Sequence, residues 1–438
     1  MPNRPLDTSQ TGIPMRVLFT TFSERAHFYS QVPLAWALRA AGHEVRIASQ
    51  PKLTDTITEA GLTAVPVGED HRLAEMQKDH ADAWGDGAGF GGLHQGEGET
   101  ATLEEQLRRQ KLLTNLYNGP INNDAFVDGL VEFARGWQPD LIIWEPQTYA
   151  GAVAARVVGA AHARLMWGPD VMMRSRETFL ARMAEQPEAE RCDPLAEWLT
   201  GLLERHGATF DPEVITGQWT IDPCPAGVRL PVGVNTVPMR YVPYNGPAVV
   251  PDWLREEPTK PRVCLTMGGS LREHIGHDGF PISALGMFAD LDIDLIATLV
   301  PFPGETDPQV PDNARVIPFV PMHALLPTCS AIVHYGGGGT WSTALTYGVP
   351  QLLIPKIWDT VAKAEHLQEE GAGLFVHADN VTGEALHDAL ARLIEEPSFK
   401  ENALRLRDGM RADPSPAELV ATLEKLTAEY RENTVATV

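Results

Sequence analysis

Short apolar runs alternate with amphipathic stretches along both halves of the chain. Arg16-Val-Leu-Phe-Thr-Thr-Phe22 reads as a buried strand, and a polar turn follows it. Val32, Ala35, Trp36 and Leu38 then recur at helical spacing. They predict a helix from about Ser30 to Ala41, with Pro33 in its first turn and Gly42 closing it. Glu44 to Ser49 is a second strand, so the chain opens βαβ and implies a parallel sheet. Leu141-Ile-Ile-Trp144 is a further strand, and it enters a small-residue helix at Tyr149 to Val158. Prolines 243, 247, 251, 258 and 261 mark a linker at 241–261. A second alternating series begins after it, with strands at Arg262 to Met267, Leu295 to Val300, Arg315 to Phe319, Ala331 to Tyr335 and Leu352 to Pro355. The expectation is an α/β protein: a tail at 1–14, one Rossmann-like domain at 15–240, another at 262–415, and a final segment at 416–438.

The segment from Gly68 to Glu105 breaks the pattern. It holds ten acidic against two basic residues, a net of −8, and seven of the fourteen residues from 85 to 98 are glycine. Such a composition buries little apolar surface and reads as a mobile loop or short helices. It carries about a third of the excess in a chain of 438 residues with 58 acidic and 35 basic side chains, net −23. That charge argues against nucleic acid or an anionic membrane as partner, since both need clustered Lys and Arg. No run approaches the roughly 20 apolar residues of a membrane helix. The first fourteen residues lack an apolar signal core, so a cytoplasmic protein is expected. Cys192, Cys224, Cys264 and Cys329 are widely spaced and form no C-x-x-C pair.

The most informative local sequence is Ala331-Ile-Val-His334-Tyr335-Gly336-Gly337-Gly338-Gly339-Thr340-Trp341. An apolar strand runs into four glycines, and a helix starts at about Thr340. Glycine lets backbone N–H groups approach a ligand closely, and a helix N-terminus adds free donors and positive partial charge. A tight turn would need only two glycines, so this loop reads as a phosphate site. No Lys follows the glycines as in the kinase-type P-loop, and the spacing is not G-x-G-x-x-G. Asp359 and Thr360 follow the next strand and so lie at the same sheet edge, where ligands of open α/β sheets bind. The pair could clamp sugar hydroxyls, and Lys363 could meet phosphate.

In the first half, His27 lies in the turn after the first strand and can take a proton near neutral pH. Glu145 ends the strand Leu141 to Trp144 at the same sheet edge and could orient that imidazole. Asp290, Asp292 and Asp294 form a D-x-D pattern, but between a helix and a strand they read as solvated capping acids. No His/Cys cluster has zinc-ligand spacing, and no G-x-S-x-G elbow occurs.

Taken in order, several long motifs resemble the GT-B glycosyltransferases that act on small lipophilic acceptors. They resemble most the actinobacterial subgroup that moves deoxysugars from TDP to polyketide aglycones such as macrolides and anthracyclines. The motifs begin with His27-Phe-Tyr-Ser-Gln-Val-Pro-Leu-Ala-Trp-Ala-Leu-Arg-Ala-Ala-Gly-His-Glu-Val. Gln138-Pro-Asp-Leu-Ile-Ile-Trp-Glu-Pro, Gly217-Gln-Trp-Thr-Ile-Asp-Pro and Met239-Arg-Tyr-Val-Pro-Tyr-Asn-Gly-Pro carry the middle. Phe319-Val-Pro-Met-His-Ala-Leu-Leu-Pro, the His334 loop and Gly371-Ala-Gly373 complete it, so that Met15 to about Tyr430 is covered.

The resemblance implies two facing Rossmann-like domains, acceptor in the first and nucleotide sugar in the second, with a helix at Pro416 to Glu429 crossing back to the first. It makes His27 the catalytic base and Glu145 its acidic partner, usually Asp in relatives. It assigns diphosphate contacts to Gly268, Gly269, Ser270, His334, Gly336, Gly337, Gly338, Gly339 and Thr340. Phe319 and Val320 match the segment that holds the base, and Asp359 matches the sugar-binding acid. Thr360 replaces a Gln often found there and Lys363 an Asn, which fits a donor with fewer hydroxyls.

The implied reaction is an inverting single displacement with no metal and no cofactor, the TDP-deoxysugar being a co-substrate. Members of this subgroup often need a companion protein resembling a cytochrome P450 without its haem ligand. The acidic segment at 68–105 could contact such a companion, cover the acceptor, or be a disordered surface loop. A homodimer is also compatible. Two rivals are a nucleotide-sugar epimerase on a similar scaffold and a non-catalytic nucleotide-binding subunit of a biosynthetic complex.

Overall fold

The computed structural model describes residues 14–73, 75, 101–269, 272–273, 276–356 and 359–436. Ser270 and the glycine-rich run at 85–98 lie outside these residues. Among the described residues thirteen strands form two sheets, and every pairing is parallel. The first sheet contains β1 (Arg16–Thr20), β2 (Glu44–Ser49), β3 (Ala64–Pro66), β4 (Leu141–Trp144), β5 (Ala161–Leu165), β6 (Trp219–Asp222) and β7 (Thr236–Pro238). The second contains β8 (Arg262–Thr266), β9 (Asp294–Thr298), β10 (Ala314–Val316), β11 (Ala331–His334), β12 (Gln351–Leu353) and β13 (Gly373–Phe375).

The strand orders are β3-β2-β1-β4-β5-β6-β7 and β10-β9-β8-β11-β12-β13. Both are doubly wound arrangements whose order reverses beside the first strand. Such a reversal opens a crevice at the carboxyl ends of the two flanking strands. In the first sheet that crevice lies beyond β1 and β4, and in the second beyond β8 and β11.

In the first domain β1 leads into α1 (Arg25–Tyr29) and α2 (Val32–Ala40), while α3 (Asp124–Trp137) precedes β4 and α4 (Tyr149–Val158) follows it. The helix expected from about Ser30 begins at Val32, and a separate five-residue helix precedes it, so His27 is helical instead of lying in a turn. Small residues of α4 let it lie close on the sheet, with Gly151, Ala152, Ala154 and Ala155 all buried. In the second domain α5 (Gly338–Tyr347) follows β11, α6 (Asp359–Glu369) follows β12, and α7 (Pro397–Ala412) packs on α5.

Five strands escape the sequence pattern: β3, β5, β6, β7 and β13. β5 is entirely buried yet carries His162 and Arg164. Those side chains find partners inside the fold, since Trp144 Nε1 donates to His162 Nδ1 at 3.2 Å and Arg164 pairs with Asp170. The acids at 290–294 are also accounted for. Asp292 pairs with Lys260 at 2.7 Å, Asp294 with Arg262 at 2.7 Å, and Asp290 with His387 at 3.2 Å. The 68–105 segment ends in a capping box, where Glu105 N–H donates to Thr102 Oγ1 and Thr102 N–H to Glu105 Oε2.

The chain ends in α8 (Pro416–Ala436), which lies on α2 of the first domain. Leu419, Val420 and Leu423 join the core on one face of the first sheet, and His43 Nε2 meets Glu424 at 3.1 Å. Among the described residues no helix is long and apolar enough to cross a membrane. Leu423 is fully buried, so Leu423→Ala removes packing and leaves a cavity. The expected cost is about 3 kcal/mol, read as a lower denaturation midpoint of the first domain.

Candidate active site

The two sheets turn their crevices toward each other, and the linker closes one side of the gap. A cavity of about 280 Å³ lies between them, lined by His27, Tyr29 and Trp167 from the first domain and by Gly337, Thr340 and Asp359 from the second. Tyr241, Tyr244 and Asn245 of the linker also line it. A second cavity of about 320 Å³ continues past Gly268, Gly269 and Thr340 to Phe319 and Val320. Phe319 is 56% exposed, unusual for a ring of that size, and so leaves a flat apolar face free for stacking.

The first strand positions His27. β1 is buried along Val17 to Thr20, so the chain leaving it is fixed, and α1 begins five residues later. His27 Nδ1 stands 3.0 Å from Glu145 Oε2. Glu145 is fully buried at the end of β4, and its other oxygen accepts the Gln147 N–H at 3.2 Å and the Thr148 hydroxyl. A carboxylate that accepts from Nδ1 directs the opposite ring nitrogen, Nε2, away from Glu145. The longer Glu thus reaches the imidazole. Phe22 (4.5 Å between ring centroids) and Trp167 (5.3 Å, edge-on) hold the imidazole from two sides.

Opposite His27 stands the N-terminus of α5. The helix begins at Gly338, two residues before the expected Thr340, with Gly337 as its N-cap. The first N–H groups of a helix have no partner within it, and here they belong to Gly337, Gly338, Gly339 and Thr340. Four converging donors and the positive end of the helix dipole suit an anion. Close approach is what the glycines allow: a Cβ on Gly338 would lie 2.8 Å from the Trp167 carbonyl oxygen. Tyr335 also lines the cavity, a neutral phenol whose value burial raises to about 12.

Two residues expected at the ligand stand behind the loop instead. His334 is fully buried and both its ring nitrogens are engaged: Nε2 with Gln351 Oε1 at 2.8 Å, and Nδ1 with the Gly336 N–H at 3.1 Å. In this structure it lines neither cavity, and its bond to the Gly336 N–H shapes the loop. Gly336 is likewise buried, with φ +104, and a Cβ there would stand 2.9 Å from Thr360 Cβ. Its N–H faces His334 and its carbonyl accepts from Lys363 Nζ at 3.2 Å, so it shapes the loop without offering a donor. Lys363 is fully buried beside Asp359 and does not line either cavity.

Gly269, Gly337, Gly338, Gly339, Thr340, Asp359 and Thr360 line the first cavity, and Phe319 and Val320 the second. Sequence reasoning missed Trp167, Tyr335 and the linker tyrosines. Trp167 follows β5 at the same sheet edge as Glu145, and recognising that strand would have flagged it.

Burial lowers His334 from its ordinary 6.5 to about 4. Between those values the unfolded chain binds a proton that the folded chain does not, so stability falls as pH drops through that window. The loss approaches about 3 kcal/mol at pH 4. His334→Gln is expected to lose less stability between pH 6.5 and 4.5 than the parent chain, measured by thermal unfolding across that range.

Comparison with known proteins accords with this geometry. Models described as "Erythromycin biosynthesis protein CIII-like", N-terminal and C-terminal domains, match residues 36–268 and 283–426. The 10-deoxymethynolide desosaminyltransferase of Streptomyces venezuelae is 50% identical over 418 residues, covering 95% of this chain and 98% of its own. The TDP-daunosamine transferase DnrS of Streptomyces peucetius is 48% identical over 429 residues, covering 95% and 98%. The crystal structure of the glycosyltransferase VinC in complex with dTDP superposes with a TM-score of 0.84 at 41% identity, covering 95% of this chain and all of that one. With two matched domains, two facing parallel sheets and relatives aligned nearly end to end, this chain belongs to the erythromycin biosynthesis protein CIII-like family of GT-B glycosyltransferases.

Proposed function

We propose that this chain transfers a deoxysugar from a TDP-sugar to a hydroxyl of a polyketide-type aglycone, with inversion at the anomeric carbon. The observation that carries the reading is the His27–Glu145 pair at 3.0 Å, facing the same cavity as the free N–H groups of α5 and the Asp359 carboxylate. A base on one wall and an anion cradle on the other match the two ends of a single displacement. The names borne by the relatives, among them a desosaminyltransferase and a TDP-daunosamine transferase, support the donor and acceptor classes.

In the proposed reaction the acceptor O–H gives its proton to His27 Nε2 as its oxygen forms a bond to the anomeric carbon. The bond from that carbon to the phosphate oxygen breaks on the opposite face. Glu145 stabilises the imidazolium that results. TDP departs with its charge facing the N–H groups of Gly338, Gly339 and Thr340. These donors are already oriented, so they stabilise charge without reorganising during the reaction. Asp359 and Thr360 lie where they can accept from and donate to the sugar's hydroxyls, and Phe319 offers its face to thymine. No metal or cofactor has a step in this scheme.

Removing the base while leaving the cradle separates chemistry from binding. His27→Ala is expected to lower turnover by about 10³-fold while TDP binds as in the parent chain, measured by product mass and by calorimetry. Wild-type turnover of that variant would sink the assignment. Glu145→Gln keeps the shape but not the charge, and a loss of about 10²-fold in kcat at unchanged donor KM is expected. Turnover after exhaustive EDTA treatment should equal that of untreated protein; loss restored by a divalent ion would overturn the metal-free scheme.

A further inference from the structure

Lys363 is a fully buried lysine in the second domain, and nothing in the reaction above uses it. It projects from α6 one turn after Asp359 and forms an ion pair with Asp359 Oδ2. Its ammonium also donates to the Gly336 carbonyl at 3.2 Å. Two indoles flank it, with Nζ 5.6 Å from the centroid of Trp167 and 5.7 Å from that of Trp341. Gly168 leaves room for it: a Cβ there would lie 3.1 Å from Lys363 Cε. Burying an ammonium is costly unless acceptors surround it, and this one is met by a carboxylate, a carbonyl and two ring faces.

Asp359 lines the cavity and the Gly336 peptide leads into the glycine loop that lines it, the two parts that would grip a nucleotide sugar. A trans peptide directs its C=O and N–H in opposite senses. Holding the Gly336 carbonyl against Lys363 therefore aims the next N–H, that of Gly337, away from the lysine. His334 fixes the other side of the same residue by accepting the Gly336 N–H. Lys363 also takes one oxygen of Asp359 and leaves Oδ1 to accept from a ligand. The cation remains behind the loop, in a low-dielectric setting where its charge is little screened.

We propose that Lys363 is a positioning residue of the donor half: one buried ammonium sets both the peptide orientation of the glycine loop and the presented oxygen of Asp359. The inference rests on the nucleotide-sugar reading of the cavity and extends it to a residue that touches no substrate. It distinguishes positioning from simple charge compensation, because compensation concerns Asp359 alone and positioning also concerns the Gly336 peptide.

The test uses TDP as probe, titrated by calorimetry into the full chain, with thermal unfolding as the check on folding. Lys363→Met is expected to weaken TDP about tenfold, a charge-assisted hydrogen bond having been lost behind the loop. Lys363→Arg keeps the charge and the donors and can stack on the same indoles, and it should restore most of that affinity. The double variant Asp359→Asn with Lys363→Met leaves no unpaired buried charge, and it also covers the case in which the single variant does not fold. Positioning predicts that TDP stays weak in the double variant, because the Gly336 carbonyl still lacks its donor. Recovery of parent affinity in the double variant, or parent affinity in a folded Lys363→Met, would overturn the proposal. Failure of the parent chain to bind TDP would instead overturn the donor reading on which it rests.

Discussion

The reversal of strand order in each sheet is the constraint on which the rest of the molecule depends. β1 has β2 on one side and β4 on the other, so the chain leaves it in one direction and returns in the opposite one. Loops that leave neighbouring strands in opposite directions cannot fill the space between them, and a crevice results. β8 and β11 repeat the arrangement in the second sheet. His27 follows β1, Glu145 follows β4, Gly268 follows β8, and the glycine loop follows β11. Each chemical group thus hangs from the end of a buried parallel strand, which gives it a rigid origin. The linker and α8 then bring the two crevices face to face.

Local charge inside the cleft differs from the charge of the whole chain. The chain carries a net −23, yet the loop opposite His27 presents helix N-terminal N–H groups of a kind that suits an anion. The resolution is distance and dielectric: exposed charges are screened within about 10 Å, whereas backbone dipoles at a helix end act at contact. The ionisable groups nearest the loop are arranged accordingly. Burial lowers His334 to about 4 and raises Tyr335 to about 12, so both are neutral near pH 7, and Asp359 is compensated by Lys363. Net charge bears on the class of partner without locating a binding site.

Much of the fold was readable along the chain, and the exceptions share a cause. β1, β2, β4 and α4 are runs whose own residues state their period, so neighbours along the chain suffice to find them. β5 carries a histidine and an arginine that would disqualify it by pattern, and their partners Trp144, Asp170 and Thr220 are brought to it by the fold. α1 is five residues long, too short for periodicity to register. β3, β7 and β13 are three residues each, and the first two include a proline. These elements exist because their neighbours do.

The same division holds in the site. The sequence alone determined the α/β class and the strand-to-glycine-to-helix junction at 331–341. These depend on spacing and backbone chemistry within a dozen residues. Which groups meet was decided by the tertiary structure. His27 and Glu145 are 118 positions apart and touch because β1 and β4 are adjacent. Trp167 meets His27 because β5 and β1 end at the same sheet edge, and it meets Lys363 because the two domains face each other. His334 and Lys363, both plausible ligands by position, turned inward because a buried loop must satisfy its own peptide groups first. Sequence specifies the available donors, acceptors and charges; packing decides which are consumed internally and which remain for a substrate.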